Sequence, residues 1–269
     1  MSDATDSAAF ENGAPGAPGS DALQTRGLSL IFPAWNEAEG IGRAVVAAHE
    51  AAQKLVLDGE IDDYEIIIVN DASTDDTGAI ADRLALQDHH VRVVHHPVNR
   101  KLGGSIKSGL AATRGAFVLY TDADLPFDLV ELGKAFRLLR HYEADLVAMY
   151  RHDRTGEGPR RLVYSYVYNS LVHTVVGLRL RDVNFAGKLI RREVLDSVTL
   201  HSEGSFIDVE LLAKAERNGF RIIQFGVDYF PRTRGVSTLS SASVVATILR
   251  EMRTILPEMR AGGRRVKPR

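Results

Sequence analysis

The stretch "YEIIIVNDASTDDTG", Tyr64 to Gly78, decides the fold. Its first half is an unbroken apolar run, residues 66–69, made of β-branched side chains. A strand with one wet face would alternate apolar and polar residues, so this run predicts a strand covered on both faces. The polar cluster after it predicts a turn, and helical spacing then predicts a helix over about 77–86.

The same plan repeats on either side. "LSLIFPAWNEAEG" (28–40) is an apolar run ending at Pro33, followed by a helical pattern over 41–57. "VRVVHHPVN" (91–99) reads as a third strand, and "GGSIKSGLAATRG" (103–115) opens a helix at a glycine pair. "AFVLYTDAD" (116–124) is a fourth strand, 129–142 a helix, and "ADLVAMYRHD" (144–153) a fifth strand. Buried strands alternating with helices predict an α/β fold, a doubly wound and mostly parallel sheet. Ligands of such sheets bind beyond the carboxyl ends of the strands. The polar clusters after Phe32, Val69 and Tyr120 all fall there.

The second half is less regular. Residues 160–180 read as a helix with a broad apolar stripe, and "DVNFAGKLIRREVL" (182–195) as strand and turn. "IDVELLAKAERNG" (207–219) reads as a helix ended by glycine, "FRIIQFGVDYF" (220–230) as a last strand, and 243–259 as an amphipathic helix. The final ten residues carry Arg260, Arg264, Arg265, Lys267 and Arg269 with no acid.

Composition narrows the options. The 269 residues carry a net charge of −2, which exerts no general pull on nucleic acid, so no nucleic-acid partner is expected. Cysteine is absent, which excludes disulfides and thiolate metal sites and fits a reducing compartment. No window reaches the ~18 unbroken apolar residues of a membrane span. Residues 1–26 are acidic and rich in small residues, with no apolar core; they predict a disordered segment rather than a secretory signal. The expected organisation is a disordered stretch 1–26, a catalytic domain 27–240, and a helix with basic tail 241–269.

Three strand tips carry acids. "YTDADL" places Asp122 and Asp124 one residue apart, and on an extended segment both side chains point the same way. Two hard oxygen donors suit Mg²⁺ or Mn²⁺. The competing reading is a helix cap, with Asp124 preceding a helix that opens near Pro126. Asp71 follows the second strand, where it serves either a ligand or an Asx turn; Asp75 or Asp76 caps the following helix. A calcium loop is excluded, since the sixth position from Asp71 is Asp76 and not glycine. Asn36 and Glu37 lie at the first tip, where Glu37 complements either a ligand or a helix N-terminus.

Taken in order, "FPAWNE", "VNDASTDDT", "NRKLGGSIKSGL" and "YTDADL" resemble glycosyltransferase family 2, with its GT-A fold. "RLVYSYVYNSL", "LRDVNFAGKLIRREVL" and "IDVELLAKAERNGFRI" resemble the branch that loads sugars onto polyprenyl phosphates, the dolichyl-phosphate glucosyl- and mannosyltransferases among them. The resemblance spans residues 28–238. It implies inverting transfer of a hexose from a UDP-glucose- or GDP-mannose-type donor, the former favoured, to a polyprenyl (dolichyl-type) phosphate. It implies that Pro33, Ala34, Trp35, Glu37 and Asp71 hold base and ribose, with Lys101, Ala123, Arg232 and Arg234 also lining the nucleotide. Asp122 would contact ribose or metal-bound water, Asp124 would ligate the metal, and Asp208 would face the sugar. Asp208 is equally well read as an ordinary first-turn helix acid. Departures from the pattern are Lys101 for a glycine, Ala186-Gly187 for Gly-Phe or Gly-Tyr, and Thr238 for lysine.

A phosphate acceptor needs cations more than a base. Arg151 follows the fifth strand, and Arg161, Ser165 and Asn169 line one helix face at i, i+4, i+8. Arg179 and Arg181 join them as phosphate-binding candidates, with solvated surface arginine as the alternative. A lipid acceptor also predicts a membrane surface or an integral membrane partner, met by the apolar faces at 162–176 and 244–259 and the basic tail. The enzyme would then sit peripherally on the cytoplasmic face. Rival readings are a soluble glycosyltransferase with a small or protein acceptor, and a non-catalytic nucleotide-sugar-binding module.

Overall fold

The computed structural model describes residues 26–153, 166, 168–230 and 250–257. Arg161, Ser165, Arg232, Arg234, Thr238, residues 1–25, the first part of the 243–259 helix and the basic tail lie outside them. Strands β1 (Leu28–Ala34) and β2 (Tyr64–Asn70) are buried almost throughout. Their alternate residues face opposite layers. Leu28, Leu30, Phe32, Ile66 and Ile68 join one core with helices α1 (Ile41–Leu57), α2 (Thr77–Gln87) and α4 (Leu132–His141). Ile31, Ile67 and Val69 join the other, with α3 (Lys101–Ala112) and α6 (Ile207–Arg217). Covering both faces is what allows the runs to be continuously apolar.

The seven strands lie in the order β3-β2-β1-β4-β6-β5-β7, with β3 at Val91–His95, β4 at Phe117–Tyr120 and β5 at Leu146–Arg151. The sheet is parallel except for β6 (Lys188–Arg191), which runs antiparallel between β4 and β5; β7 (Ile222–Val227) pairs with β5. Reversal of β6 brings its first residue, Lys188, opposite the last residue of β4, Tyr120. A short helix, α5 (Arg192–Asp196), stands where the sequence suggested a turn.

Helix α3 starts at Lys101, two residues before the glycine pair. The pair serves a close approach: a Cβ on Gly103 would stand 2.5 Å from the Ser202 carbonyl oxygen. Without that Cβ, the Gly103 N–H donates to the Glu203 carbonyl at 2.9 Å.

For four described residues of the two apolar stripes the expected membrane-facing side is corrected, whereas Tyr166, in the first stripe, is exposed. Val172 and Val176, in a π-helical stretch (Val172–Val176), and Met252 and Ile255, in helical residues 250–257, are all buried in the second core. Burying such a side chain is worth roughly 1.5–3 kcal/mol, so the core holds these four side chains. Among the described residues, no helix is long and apolar enough to cross a membrane.

Candidate active site

Five of the six described non-glycine residues with positive φ lie where polar loops gather at one sheet edge. Asn36 (57°), Ala72 (55°), Lys101 (60°) and Leu125 (53°) follow the first four strands, and Asp182 (44°) packs beside the end of β5. Each such conformation costs on the order of 1–3 kcal/mol, and strain of this kind collects at functional sites. Lys101 stands where the resemblance implies glycine, and its left-handed φ gives the reason for that preference.

The loops after β1 and β2 are stitched together. The Asn36 and Glu37 N–H groups donate to Ser73 Oγ (3.0 Å) and Thr77 Oγ1 (2.8 Å), and Asn36 Oδ1 accepts from the Thr74 N–H at 2.8 Å. Asp76 holds the N-cap position of α2 without a side-chain bond, and Asp75 before it supplies the acceptor, its Oδ1 taking the Thr77 N–H at 3.0 Å. Burial pushes its carboxyl up, but hydrogen bonds from Thr77 and Ala38 outweigh that and hold it below the ordinary range. Trp35 follows β1 at this platform and is 51% exposed.

Asp71 is buried and preorganised. Its Oδ1 accepts the Arg100 backbone N–H at 2.7 Å and lies 2.7 Å from His96 Nδ1. His96 Nε2 lies 2.8 Å from Ser108 Oγ, which also accepts from the Arg100 guanidinium at 3.2 Å. An ionised Asp71 can only accept, so the Nδ1–H of His96 donates to it. This ring ties the second and third loops together. Nothing in the local pattern of "VVHHPVN" marked His96, because its partners lie 25 and 12 residues away.

Asp122 and Asp124 are half buried in the loop after β4. The capping alternative for Asp124 falls away: the first helical residue is Leu129, and Asp128 caps it by accepting the Val130 N–H at 3.0 Å. Ala123 is buried, its carbonyl oxygen 3.5 Å from where a Cβ on Gly40 would stand, so the first and fourth loops are neighbours. Pro33 and Ala34 lie at the end of β1, with the Ala34 carbonyl accepting the Asp71 N–H at 2.9 Å.

Two expected substrate residues are engaged inside the protein, and Asp208 stands in the first turn of α6, as its alternative reading had it. Asp208 is buried behind the edge, paired with Lys188 and accepting the Tyr120 hydroxyl. Lys188 is itself buried and also donates to the Phe185 carbonyl at 2.8 Å. Burial, then the Asp208 charge and hydrogen bond, then the Asp122 charge push the Tyr120 phenol well above its ordinary range. Arg151 holds Asp182 in a fork, Nε and Nη2 each at 2.7 Å, over the rings of Phe185 and Tyr229. Both residues shape the edge from within. A charge taken out of water needs a partner, and the nearest one captured each. Lys188 escaped the sequence reading, although a lysine opening an apolar strand was its only visible sign. Arg179 and Arg181 are exposed. A cavity of about 440 Å³ between α3 and the α5 region is lined by none of the strand-tip carboxylates.

Comparison with known proteins agrees with this geometry. Residues 29–199 match the family described as glycosyl transferase family 2. The chain is 33% identical over 210 residues to glycosyltransferase AglD of Haloferax volcanii, covering 76% of this chain but 33% of that one. It is 32% identical over 233 residues to polyprenol monophosphomannose synthase of Mycolicibacterium smegmatis, covering 82% and 83%. Among solved structures, glucosyl-3-phosphoglycerate synthase of Mycobacterium tuberculosis in complex with Mn²⁺, UDP and glucosyl-3-phosphoglycerate is 25% identical, with a TM-score of 0.61, covering 88% and 86%. An overall match of this extent, on a GT-A sheet, leads to one conclusion: the chain belongs to glycosyltransferase family 2 and is a glycosyltransferase.

Proposed function

We propose that the enzyme transfers a hexose, with inversion, from a UDP-sugar to a polyprenyl phosphate, in a divalent-metal-dependent reaction. The observation that carries this reading is the gathering of Trp35, the preorganised Asp71, Asp122 and Asp124 at one sheet edge. In this reading Trp35 packs on the base, while Asp71 and Glu37 accept hydrogen bonds from base and ribose. Pro33, Ala34, Lys101 and Ala123 supply the surrounding backbone. Asp71 needs no reorganisation to do this, because His96 and Arg100 already fix its rotamer.

The donor set fits a divalent cation: two half-buried carboxylates one residue apart, with Asp124 capping no helix. Asp122 and Asp124 would hold Mg²⁺ or Mn²⁺, which supplies Lewis-acid stabilisation of the departing diphosphate. The relative named polyprenol monophosphomannose synthase supports the acceptor class, and the neighbour solved with Mn²⁺ and UDP supports the donor and metal. An anionic phosphate attacks without a general base, which suits an edge where Asp208 is committed to Lys188. Arg161, Arg232 and Arg234 would meet the phosphates, and the basic tail, residues 260–269, a cytoplasmic membrane surface.

The test is incubation of the enzyme with Mn²⁺, labelled UDP-glucose and either polyprenyl phosphate or phosphoglyceric acid. Label in an organic-extractable product supports the proposal. Label confined to a water-soluble product of phosphoglyceric acid would replace it with a soluble, small-acceptor enzyme, the reading favoured by the fold's likeness to glucosyl-3-phosphoglycerate synthase.

A further inference from the structure

A second group of metal-ligating side chains lies at the opposite end of the sheet. His49 projects from α1, Asp88 ends α2, and His90 immediately precedes β3. One ligand atom from each lies within 4.8 Å of the other two. The seven residues of β2 separate this cluster, at Tyr64, from Asp71. We propose that His49, Asp88 and His90 form a zinc-binding site independent of the glycosyl-transfer edge.

The argument begins with the two faces of the His49 ring. Nδ1 lies 2.8 Å from the Tyr64 hydroxyl, a good hydrogen bond. Nε2 is buried and makes no hydrogen bond, although Asp88 Oδ2 stands only 2.5 Å away. Nε2 and Asp88 Oδ2 form a close ion-pair contact, which a metal ion would open to seat both atoms as ligands. Metal-bound histidines have this pattern: one nitrogen faces the ion while the other is fixed by an outer partner. Here Tyr64 is that partner. The other Asp88 oxygen lies 3.0 Å from His90 Nδ1, and the His90 ring is stacked on Tyr64 with centroids 4.4 Å apart, so the third ligand is also held in place.

The donor set selects the metal. Two imidazoles and one carboxylate are borderline ligands that favour zinc over the hard magnesium or calcium ions. The side chains are 19%, 28% and 23% exposed, so an ion reaches them from solvent. Two segments distant in sequence, at residue 49 and at 88–90, would be clamped by one ion, which stabilises only the folded chain.

The test uses the tag-free full-length protein carrying Asp122→Asn and Asp124→Asn, so that the other candidate metal site does not contribute. After treatment with chelator, it is titrated with zinc chloride by calorimetry, and cobalt(II) is added separately to read tetrahedral visible absorption. The expected result is one equivalent bound with Kd of about 1 µM or tighter. His49→Gln or His90→Gln should weaken binding by more than the roughly 10–100-fold lost with an outer-shell partner, without changing the circular dichroism spectrum. Absence of binding in the parent overturns the proposal whatever the variants do. So does binding that both substitutions leave intact.

Discussion

Replacing Lys188 by methionine tests the polar layer beneath the active edge. The side chains of Lys188 and Asp208 are 1% and 3% exposed, so neither charge can turn to water when its partner is removed. Lys188→Met therefore strands a buried carboxylate, with only the Tyr120 hydroxyl left among the contacts described above. Breaking a buried pair in this way costs about 3–5 kcal/mol, whereas replacing both members with apolar side chains is often neutral or stabilising. A domain of ordinary stability has about 5–15 kcal/mol in all. Lys188→Met should thus lower the urea midpoint markedly, Asp208→Leu similarly, and the double variant much less than the sum. Coupling should reach the upper part of the roughly 0.5–3 kcal/mol range of a double-mutant cycle, or exceed it. Additive costs, or a Lys188→Met penalty below about 1 kcal/mol, would refute the assignment of a mutually dependent buried pair. Activity of the double variant adds a second reading: if the pair acts only by supporting the Asp122 loop, turnover should persist.

Other outcomes follow from the same geometry. Asp124→Asn should cut turnover by at least about 100-fold while the protein stays folded; steady-state assay beside a circular dichroism spectrum checks both. Lys101→Gly should stabilise the fold by up to about 1 kcal/mol, since Lys101 holds φ at 60°, and equilibrium urea unfolding reads it. Glu65 concerns pH: burial pushes its carboxyl up, but hydrogen bonds from Ser29, the Arg114 N–H and Arg92, with the Arg114 charge, hold it below the ordinary range. Its folded-state pKa is depressed, so its contribution is full above about pH 4.3 and disappears as pH falls through the folded value. Glu65→Gln should therefore be less stable than the parent at neutral pH and lose less on acidification, measured by urea unfolding from pH 7 to 3.

Much of the architecture was legible because its causes are local. Runs such as Ile66–Val69 are apolar on successive residues only if both faces of a strand are covered, and helix spacing after each run completes the α/β pattern. The same locality exposed the acids at the strand tips, since a parallel sheet places every strand end on one edge. The insertion of β6 between β4 and β5 had no such sign: strand order is set by packing of whole layers, and four residues of antiparallel strand look like any others. Asp208 illustrates the consequence. Read locally, it was a sugar-facing acid or a first-turn acid. Only the reversed β6 brought Lys188 against it, with Tyr120 from 88 residues upstream. The Asp71–His96–Ser108–Arg100 ring and the His49–Asp88–His90 group arose in the same way, from contacts between elements. The amino-acid sequence by itself determined the alternation of buried strands and helices and the acids at the strand tips, because periodicity and turn chemistry act between near neighbours. Only the tertiary structure decided which charged groups face solvent and which are consumed in buried pairs, because that depends on the partner each meets once water has been excluded.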